Sequence, residues 1–455
     1  MSLDLGTLSA PVSGLDDLIA YIKGAERPPE RWLIGVEHEK IGVRGPRYGP
    51  VPYYGPGGIR ELLDAIARSA GGTQHKHKEN GQPIALLSKD SSVTLEPGGQ
   101  LELSGAPLRS MKDIRAEIEA HLAQVRRDSH GIAWLAGGYR PFGTRDQVPW
   151  MPKGRYAAMK SSLGPKGRLA LDMMLMTATV QANLDWSDEA DLASKVRAAT
   201  AVSPIVSAIF ANSPLIDGRE CGYLDFRYQV WRETDGARSG LLEQMLRPGW
   251  GYRQYVEWAV DVPMLFVREG SEYRDAGGQT FRGWLTSGRP ASGQKVQPTL
   301  SNWVDHLTTL FPEVRVKRVL ELRGADVVPL PLMIALPALW VGILYDRAAR
   351  EAAAELTRRW TFADLLQFQA DVARQALGAK GPGGVRALDL ARDVVRIARI
   401  GLQGWKQMSG LDEAAYLDPV SDIVESGRTL AERVLEAYRS SGGDPQSILK
   451  LWQIA

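Results

Sequence analysis

Four short stretches of this sequence alternate polar and apolar residues, and this alternation restricts the fold more than any other feature. They are LIGVEHEKIGV from residue 33, GQLELSG from residue 99, TATVQANLDW from residue 177 and VLELRGAD from residue 319. Successive side chains of a β-strand point to opposite faces, so each stretch predicts a strand with one polar and one apolar face. The chain is therefore expected to contain a sheet with one polar surface, which is either solvated or functional.

Carboxylates dominate the polar faces of the first two strands. Glu37 and Glu39 share a side, Glu102 lies on the polar side of the second strand, and a turn at residues 97–99 could bring Glu96 to the same surface. Two carboxylates roughly 7 Å apart repel by about 2 kcal/mol at an effective dielectric near 20, so a cleft that holds them calls for a cation. Ligands that are all oxygen suit magnesium or manganese better than zinc.

The other two strands add amides, further carboxylates and an arginine. Their polar faces carry Thr179, Gln181, Asn183, Asp185, Glu321 and Arg323. Arginine beside metal-binding carboxylates suits phosphate recognition. If the four strands are neighbours, they form a carboxylate-lined trough that holds divalent ions and, through them, the phosphates of a nucleotide. Such a site suits ATP-dependent activation of a carboxylate, in which an acyl phosphate forms and an amine then displaces phosphate.

A substrate carboxylate would need its own cationic anchor. The stretch MPKGRYAAM offers Lys153 and Arg155, and YLDFRYQVW offers Arg227. For each isolated arginine the alternative is a surface or salt-bridge role.

The composition excludes several classes of protein. A formal net charge of +2 over 455 residues gives no reason to expect nucleic acid or an anionic membrane as a partner. Cys221 is the only cysteine, which excludes an internal disulfide and a Cys-rich zinc site and fits a reducing compartment. The first residues show no basic segment followed by an apolar stretch, so the expected location is the cytoplasm.

The histidines give little support for a metal site of another kind. His38 lies in a predicted strand without the helical spacing of a zinc protease, so a structural role is expected. The HKH sequence at residues 75–77 is interpreted as a solvated loop.

One uncharged run, VVPLPLMIALPALWVGILY at residues 327–345, is about long enough to cross a bilayer. It stands alone, contains three prolines and leads directly into a charged segment, so a buried core helix is favoured over a membrane span. Residues 1–345 show an α+β pattern, and residues 346–455 predict helix after helix. We expect a single catalytic domain over residues 1–455, with the helical part packed against the sheet-containing part.

These stretches, in this order, closely resemble the plant and proteobacterial type of glutamate–cysteine ligase, the first enzyme of glutathione synthesis. The matching segments are GVEHEKIGV, LEPGGQLELSGAPL, MPKGRY, LDMMLMTATVQANLD, IFANSPL, HLTTLFPEVRVKR, LRGAD and ALPALWVGILYD, which cover most of residues 33–346. The resemblance implies a glutamine-synthetase-like fold in which an antiparallel sheet cups ATP and magnesium. It also implies formation of γ-glutamylcysteine through a γ-glutamyl phosphate.

The resemblance assigns roles to particular residues. The metal ligands it implies are Glu37, Glu39, Glu96, Glu102 and Glu321. Arg155 and Arg227 match arginines that hold the glutamate substrate, and Arg323 matches a catalytic arginine on the phosphate side. The candidates for the nucleotide side are Arg238, Gln181 and Asn183. No obligate protein partner is implied.

Two departures from the family pattern leave alternatives open. Ala178 stands where plant members carry a cysteine, and the segment after RGAD reads VVPLPLM where related sequences often continue with glycine, tryptophan and arginines. The motifs concern phosphate, metal and glutamate more than the thiol, so a γ-glutamyl ligase with a different acceptor amine is the second hypothesis. The third is a non-catalytic relative that binds nucleotide or glutamate.

Overall fold

The computed structural model describes residues 8–270, 272–291, 293 and 295–455. The α-helices are α1 (Leu15–Lys23), α2 (Ile59–Ser69), α3 (Met111–Asp128), α4 (Gly154–Leu163), α5 (Ala170–Met176), α6 (Glu189–Ile209), α7 (Phe226–Arg232), α8 (Tyr252–Asp261), α9 (Phe281–Ser287), α10 (Leu300–Thr308), α11 (Leu330–Leu344), α12 (Arg347–Glu355), α13 (Phe362–Gln375), α14 (Ala387–Ser409), α15 (Asp418–Ser426), α16 (Leu430–Ser440) and α17 (Pro445–Trp452). The strands are β1 (Ile34–Arg44), β2 (Gly49–Pro50), β3 (His75–Glu79), β4 (Gln82–Leu87), β5 (Ser92–Leu95), β6 (Leu101–Ser104), β7 (Ile132–Leu135), β8 (Val180–Leu184), β9 (Leu215–Ile216), β10 (Arg219–Glu220), β11 (Ser239–Gly240), β12 (Phe266–Glu269), β13 (Glu272–Asp275), β14 (Phe311–Pro312), β15 (Val314–Val316) and β16 (Leu320–Leu322). The stretch assessed for a secretory signal begins with residues 1–7, which lie outside the described residues.

One antiparallel sheet organises the sheet-containing part of the chain. Its main path runs β15-β16-β8-β1-β6-β5-β4-β3, and β2 and β7 pair with the second half of β1. The four alternating stretches therefore become four adjacent strands, β16, β8, β1 and β6. This arrangement places their polar side chains on one continuous surface, as the sequence predicts.

The opposite face of the sheet is buried. Val36, His38 and Lys40 of β1 point to this face and are at most 2% exposed. Lys40 Nζ lies 3.3 Å from His38 Nδ1. Burial lowers the pKa of His38 well below its ordinary value, so the imidazole is neutral. His38 is thus a structural histidine, in agreement with the prediction.

The uncharged run forms α11, a helix buried on nearly all sides. It packs against β8 on one side and α14 on the other. The two helices approach so closely that a Cβ atom placed on Gly401 would lie 1.8 Å from the Gly342 carbonyl oxygen. Within the described residues, no single helix meets the length and hydropathy needed to cross a membrane, and α11 with α12 does so only as a pair bent by 94°.

Helices α12 to α17 form the C-terminal part, as the sequence predicts, and the last residues return to the sheet. Ile454 N donates to Trp134 O, and Trp134 N donates to Ala455 O, so the C-terminal segment pairs with β7. A single buried hydrophobic cluster includes residues from Val12 to Ala455. The division at residue 345 stays a prediction.

The HKH segment corrects one expectation. Residues 75–77 lie in β3 rather than in a loop. β3 is the edge strand next to β4, and its histidines and lysines are exposed. An edge strand solvated on both faces carries polar residues at every position, so the apolar alternation that signals a strand is missing.

Candidate active site

The register of the sheet brings the predicted side chains into contact. Glu37 on β1 lies opposite Ser104 on β6 and Gln181 on β8. Glu39 lies opposite Glu102. Because neighbouring strands are about 4.8 Å apart, residues in register on one face are within reach of a shared ligand.

A cavity of about 350 Å³ opens on this polar face. Its charged and amide lining consists of Glu37, Glu39, Glu96, Glu102, Gln181, Lys153, Arg155, Arg315, Lys317 and Arg323. A smaller cavity of about 80 Å³ shares Glu39, Glu96 and Arg323 with it and adds Arg227. Larger cavities occur elsewhere, among them one of about 760 Å³ beside α16, but they contain none of these residues.

Three of the cavity carboxylates are held by short hydrogen bonds. Asn183 Nδ2 donates to Glu37 Oε1 at 2.9 Å, and the Thr179 backbone N–H donates to Glu39 Oε2 at 3.0 Å. Ser104 Oγ donates to Glu102 Oε1 at 2.8 Å. Asn183 therefore contacts a carboxylate directly, although it is not among the lining residues.

The electrostatics of these carboxylates favour a bound cation. Burial raises the pKa of Glu39 well above its ordinary value, and the nearby Glu96 and Glu102 raise it further. Burial likewise raises the pKa of Glu37 and of Glu102, and neighbouring carboxylates add to both shifts. Each carboxylate would lose its proton more readily beside a cation.

Glu96 enters the cavity from the tight turn between β5 and β6. Glu96 N donates to Gln100 O at 2.9 Å, and Gly99 adopts φ +81°. A Cβ atom on Gly98 would lie 2.2 Å from the Leu175 carbonyl oxygen, so only glycine fits there. The turn predicted from Pro97-Gly98-Gly99 is present and brings Glu96 to the same surface as Glu102.

Glu321 differs from the other four glutamates. It is 1% exposed and is not among the described residues that line the cavity. Arg315 donates to Glu321 Oε2, Lys317 Nζ lies 2.5 Å from Oε1, and Arg323 Nη1 lies 3.6 Å from Oε2. Burial alone would raise the pKa of Glu321, but these three cations outweigh it and lower the pKa to about 2. In this structure Glu321 is the counter-ion of three cations, because β15 places Arg315 directly opposite it, and its role as a metal ligand stays a prediction.

The predicted substrate arginines flank the cavity. Arg155 lies in the first turn of α4 and lines the larger cavity, and Arg227 in α7 lines the smaller one. The Nε atom of each is buried and has no hydrogen-bond partner among the described residues. Arg323 Nη1 donates to Gln181 Oε1 at 2.9 Å. This bond links Arg323, the catalytic candidate, to Gln181, a candidate for the nucleotide side.

Arg238 is not brought to the cavity. Its guanidinium is fully buried and donates to Asp235 Oδ2 and to the carbonyl oxygens of Thr309 and Pro263. All three of its nitrogen atoms are occupied in this way. Arg238 therefore lines neither cavity, and its assignment to the nucleotide side stays a prediction.

Sequence reasoning missed two cations of the cavity, Arg315 and Lys317. Both lie on the polar face of the short stretch VRVK, which forms β15 and the residue after it. The alternation was visible in the sequence, but the stretch is only four residues long. A strand this short is recognised only when its pairing partner is known.

The cavity carboxylates do not form a preassembled metal cage. Within the described ranges, no group of three or more histidine, cysteine, aspartate or glutamate side chains is arranged to hold an ion. Magnesium, however, usually binds through one or two carboxylates together with substrate phosphates and water. The four neighbouring carboxylates supply oxygen ligands, and three of them have raised pKa values, which suits that kind of site.

An antiparallel sheet with a cavity that is lined by both carboxylates and cationic side chains defines an α+β enzyme that handles anionic substrates. Comparison with known proteins identifies the family. The chain belongs to the glutamate–cysteine ligase family 2 (GCS2), whose family model matches residues 33–450.

The relatives cover nearly the whole chain. Chloroplastic glutamate–cysteine ligase of Brassica juncea is 41% identical over 96% of this chain and 83% of its own length. The corresponding enzyme of Nicotiana tabacum is 41% identical over 94% of this chain and 80% of its own length. Among solved structures, glutamate–cysteine ligase of Francisella tularensis in complex with AMP has a TM-score of 0.53 at 12% identity, covering 92% of this chain and 87% of that one. This structural likeness confirms the predicted α+β fold.

The relatives correct the predicted location. Those of Brassica juncea, Nicotiana tabacum and Arabidopsis thaliana are all named chloroplastic, so the prediction of a cytoplasmic location is wrong. That prediction rested on the single cysteine and on the first residues of the sequence. Neither property distinguishes one reducing compartment from another.

Proposed function

We propose that this protein joins the γ-carboxyl group of L-glutamate to the amine of L-cysteine in an ATP-dependent reaction through γ-glutamyl phosphate. The observation that carries the proposal is the pairing, in one cavity, of four carboxylates with several cationic side chains. Anionic substrates and divalent cations are the ligands that such a cavity would bind together. The names of the relatives supply the amino acids, glutamate and cysteine.

Arg155 and Arg227 are the proposed anchors of glutamate. Both guanidinium groups carry a buried Nε without a partner, and a substrate carboxylate would accept a hydrogen bond there. Arg227 Nη1 and Nη2 already donate to the carbonyl oxygens of Gly324 and Arg323, at 3.1 Å each. These bonds fix the orientation of the guanidinium plane before substrate binds, which lowers the entropic cost of binding.

Arg323 is the proposed catalytic residue on the phosphate side. It lines both cavities, and its side chain is oriented by Gln181. When the glutamate γ-carboxylate attacks the terminal phosphate of ATP, negative charge develops on the transferred group, and a fixed arginine stabilises that charge. Arg315 and Lys317 line the same side of the cavity and add to the positive potential.

Glu37, Glu39, Glu96 and Glu102 are the residues that would hold magnesium, with manganese as the other candidate. Their donor atoms are all oxygen, and the pKa values of Glu37, Glu39 and Glu102 are raised by burial and by neighbouring carboxylates. When bound, the ion would neutralise phosphate charge and orient the nucleotide for transfer. The four glutamates thus act by position and charge.

The test is ADP release from ATP, magnesium and L-glutamate, with and without L-cysteine, combined with mass analysis of the product. Cysteine-dependent release together with the mass of γ-glutamylcysteine would support the proposal. Release that depends on a different amine would keep the activation step but replace the acceptor. No release with any acceptor in a panel of amino acids and amines would refute the proposal.

A further inference from the structure

Two buried aspartates meet behind the proposed substrate arginine. Asp225 and Asp326 are both 0% exposed, and Ser213 Oγ lies between them, 3.5 Å from Asp225 Oδ1 and 2.7 Å from Asp326 Oδ2. Asp225 Oδ1 accepts from Tyr228 N at 2.8 Å. Asp326 Oδ2 accepts from Asn212 N at 2.8 Å and from Ser213 Oγ at 2.7 Å.

The remaining oxygen of each aspartate has no donor among the described residues. Asp225 Oδ2 and Asp326 Oδ1 are buried and lack a hydrogen-bond partner among the protein donors of the described residues. A hydrogen bond between two carboxyl groups requires one proton, because two carboxylates are both acceptors. Two ionised carboxylates in contact within a protein interior would also repel strongly.

We propose that Asp225 and Asp326 share one proton and that this pair holds Arg227 at a fixed position beside the loop of residues 323–326. The inference rests on the proposed function, because it concerns the residue that we assign to glutamate binding. Asp225 and Asp326 are positioning residues: they act through Arg227 and do not line either cavity.

The pair joins two segments that carry arginines of the site. Asp225 caps the N-terminus of α7, which contains Arg227, and Asp326 ends the 323–326 loop, which begins with Arg323. Ser213 connects them, because its Oγ donates to Asp326 and accepts from the backbone N–H of Arg227 at 3.1 Å. The guanidinium of Arg227 then donates to two carbonyl oxygens of the same loop. Arg227 is thus held at its backbone and at its side chain.

The surroundings decide which aspartate carries the proton. Burial raises the pKa of Asp225 well above its ordinary value, and the charge of Asp326 raises it further. Burial raises the pKa of Asp326 only to about 6, because Arg227, Ser213 and Asn212 stabilise its ionised form. The shared proton is therefore assigned to Asp225, and Oδ2, which has no partner among the described residues, is the oxygen that would carry it.

Close packing keeps the pair in place. A Cβ atom on Gly138 would lie 2.1 Å from Asp326 Oδ1, so the backbone at residue 138 lies directly against this carboxylate. Gly138 N also donates to Asn212 O at 3.0 Å. The segments at residues 138 and 212 thus enclose Asp326 and fix its orientation.

A shared proton predicts an unusual pattern among isosteric variants. In Asp225→Asn the new amide donates to Asp326, and in Asp326→Asn the new amide donates to an ionised Asp225. Each single variant keeps one donor, one acceptor and one negative charge in the pair. In the double variant, Tyr228 N and Asn212 N hold both amide oxygens, so two NH₂ groups face each other.

The experiment measures L-glutamate affinity by isothermal titration and the KM values for glutamate and ATP by steady-state kinetics. Each single variant should stay within ~3-fold of the parent in glutamate affinity. The double variant should bind glutamate at least ~30-fold more weakly than the parent, while its KM for ATP stays within ~3-fold of the parent value. Circular dichroism checks that all variants are folded. Single variants as weak as the double variant, or a double variant that binds like the parent, would overturn the inference.

Ser213→Ala decides the question if the double variant does not fold. It removes the link between Asp326 and Arg227 N, and glutamate affinity should fall by ~10-fold with the ATP KM unchanged within ~3-fold. An unchanged glutamate affinity would overturn the inference. A parent protein that forms no γ-glutamylcysteine would instead refute the proposed function, and the inference with it, whereas an active parent with insensitive variants would refute the inference alone.

Discussion

Replacing Glu321 by glutamine tests whether this residue is a counter-ion or a metal ligand. Glu321 is 1% exposed and contacts Arg315, Lys317 and Arg323. A carboxyl group whose pKa falls from 4.5 to about 2 on folding contributes about 3 kcal/mol to stability at neutral pH. Breaking a buried ion pair by removing one partner costs about 3 to 5 kcal/mol, which agrees with that figure. We therefore expect Glu321→Gln to lower the free energy of unfolding by about 3 kcal/mol or more.

Glu37→Gln is the matched control. The same isosteric change on a nearby strand should change the free energy of unfolding in the opposite direction. The pKa of Glu37 is raised by burial and by the charges of Glu321 and Glu102. Its ionised form is therefore disfavoured in the folded protein, and a neutral glutamine that still accepts from Asn183 should increase stability. The assay is urea-induced unfolding at pH 7 without nucleotide or divalent cation.

The pH dependence gives a second check of the same assignment. The pKa of Glu321 is lower in the folded protein than in the unfolded chain, so its contribution is complete above pH ~4.5 and is lost as the pH falls towards about 2. The stability difference between the parent and Glu321→Gln should therefore narrow below pH ~4.5. If Glu321→Gln were as stable as the parent and lost only its response to magnesium, Glu321 would be a metal ligand and the counter-ion assignment would be refuted.

Three further predictions concern the cavity. Arg227→Lys should raise the KM for glutamate by ~30-fold and change the KM for ATP by less than ~3-fold, because lysine cannot reproduce the planar hydrogen-bonding fork of arginine. Equal changes in both KM values would contradict the assignment of Arg227 to glutamate binding. Chelation of divalent cations should abolish turnover. In differential scanning fluorimetry, magnesium should raise the melting temperature of the parent more than that of Glu102→Gln, and equal shifts would exclude Glu102 as a metal ligand. Gly98→Ala should lower the free energy of unfolding by about 1 to 3 kcal/mol because its Cβ would overlap the Leu175 carbonyl. Gly236→Ala, with open space around its Cβ, should change it by less than about 0.5 kcal/mol.

The sequence predicted the polar face of the sheet well because period-two alternation is a local property. Glu37, Glu39, Glu102 and Gln181 line one cavity, as their positions on alternating stretches require. Once β1 pairs with β6 and β8 in register, a strand with two polar positions can present them on only one face. The turn that brings in Glu96 was also local, since it depends on two adjacent glycines.

The residues whose roles were missed or reassigned depend on contacts between distant parts of the chain. Glu321 lies in an alternating stretch like that of Glu37, yet its carboxylate contacts three cations because β15 pairs with β16. Arg238 lies near other polar residues in sequence, but its donors are taken up by Asp235 and by carbonyls more than twenty residues away. Local pattern cannot distinguish an open carboxylate from a neutralised one, since the partner is chosen by the tertiary fold.

The order of the strands also separates the two charged halves of the proposed site. The carboxylates of Glu37 and Glu39 lie on β1, whereas Arg315 and Arg323 lie on β15 and just after β16. The strand between β1 and β16 is β8, which presents the neutral Gln181 to the cavity. Two strand spacings of about 4.8 Å place β1 about 10 Å from β16, a separation that a polyphosphate with bound cations can bridge. Among the described residues, Arg315 and Arg323 pair with Glu321 and form no ion pair with Glu37 or Glu39, so these two carboxylates remain available to cations that a ligand carries.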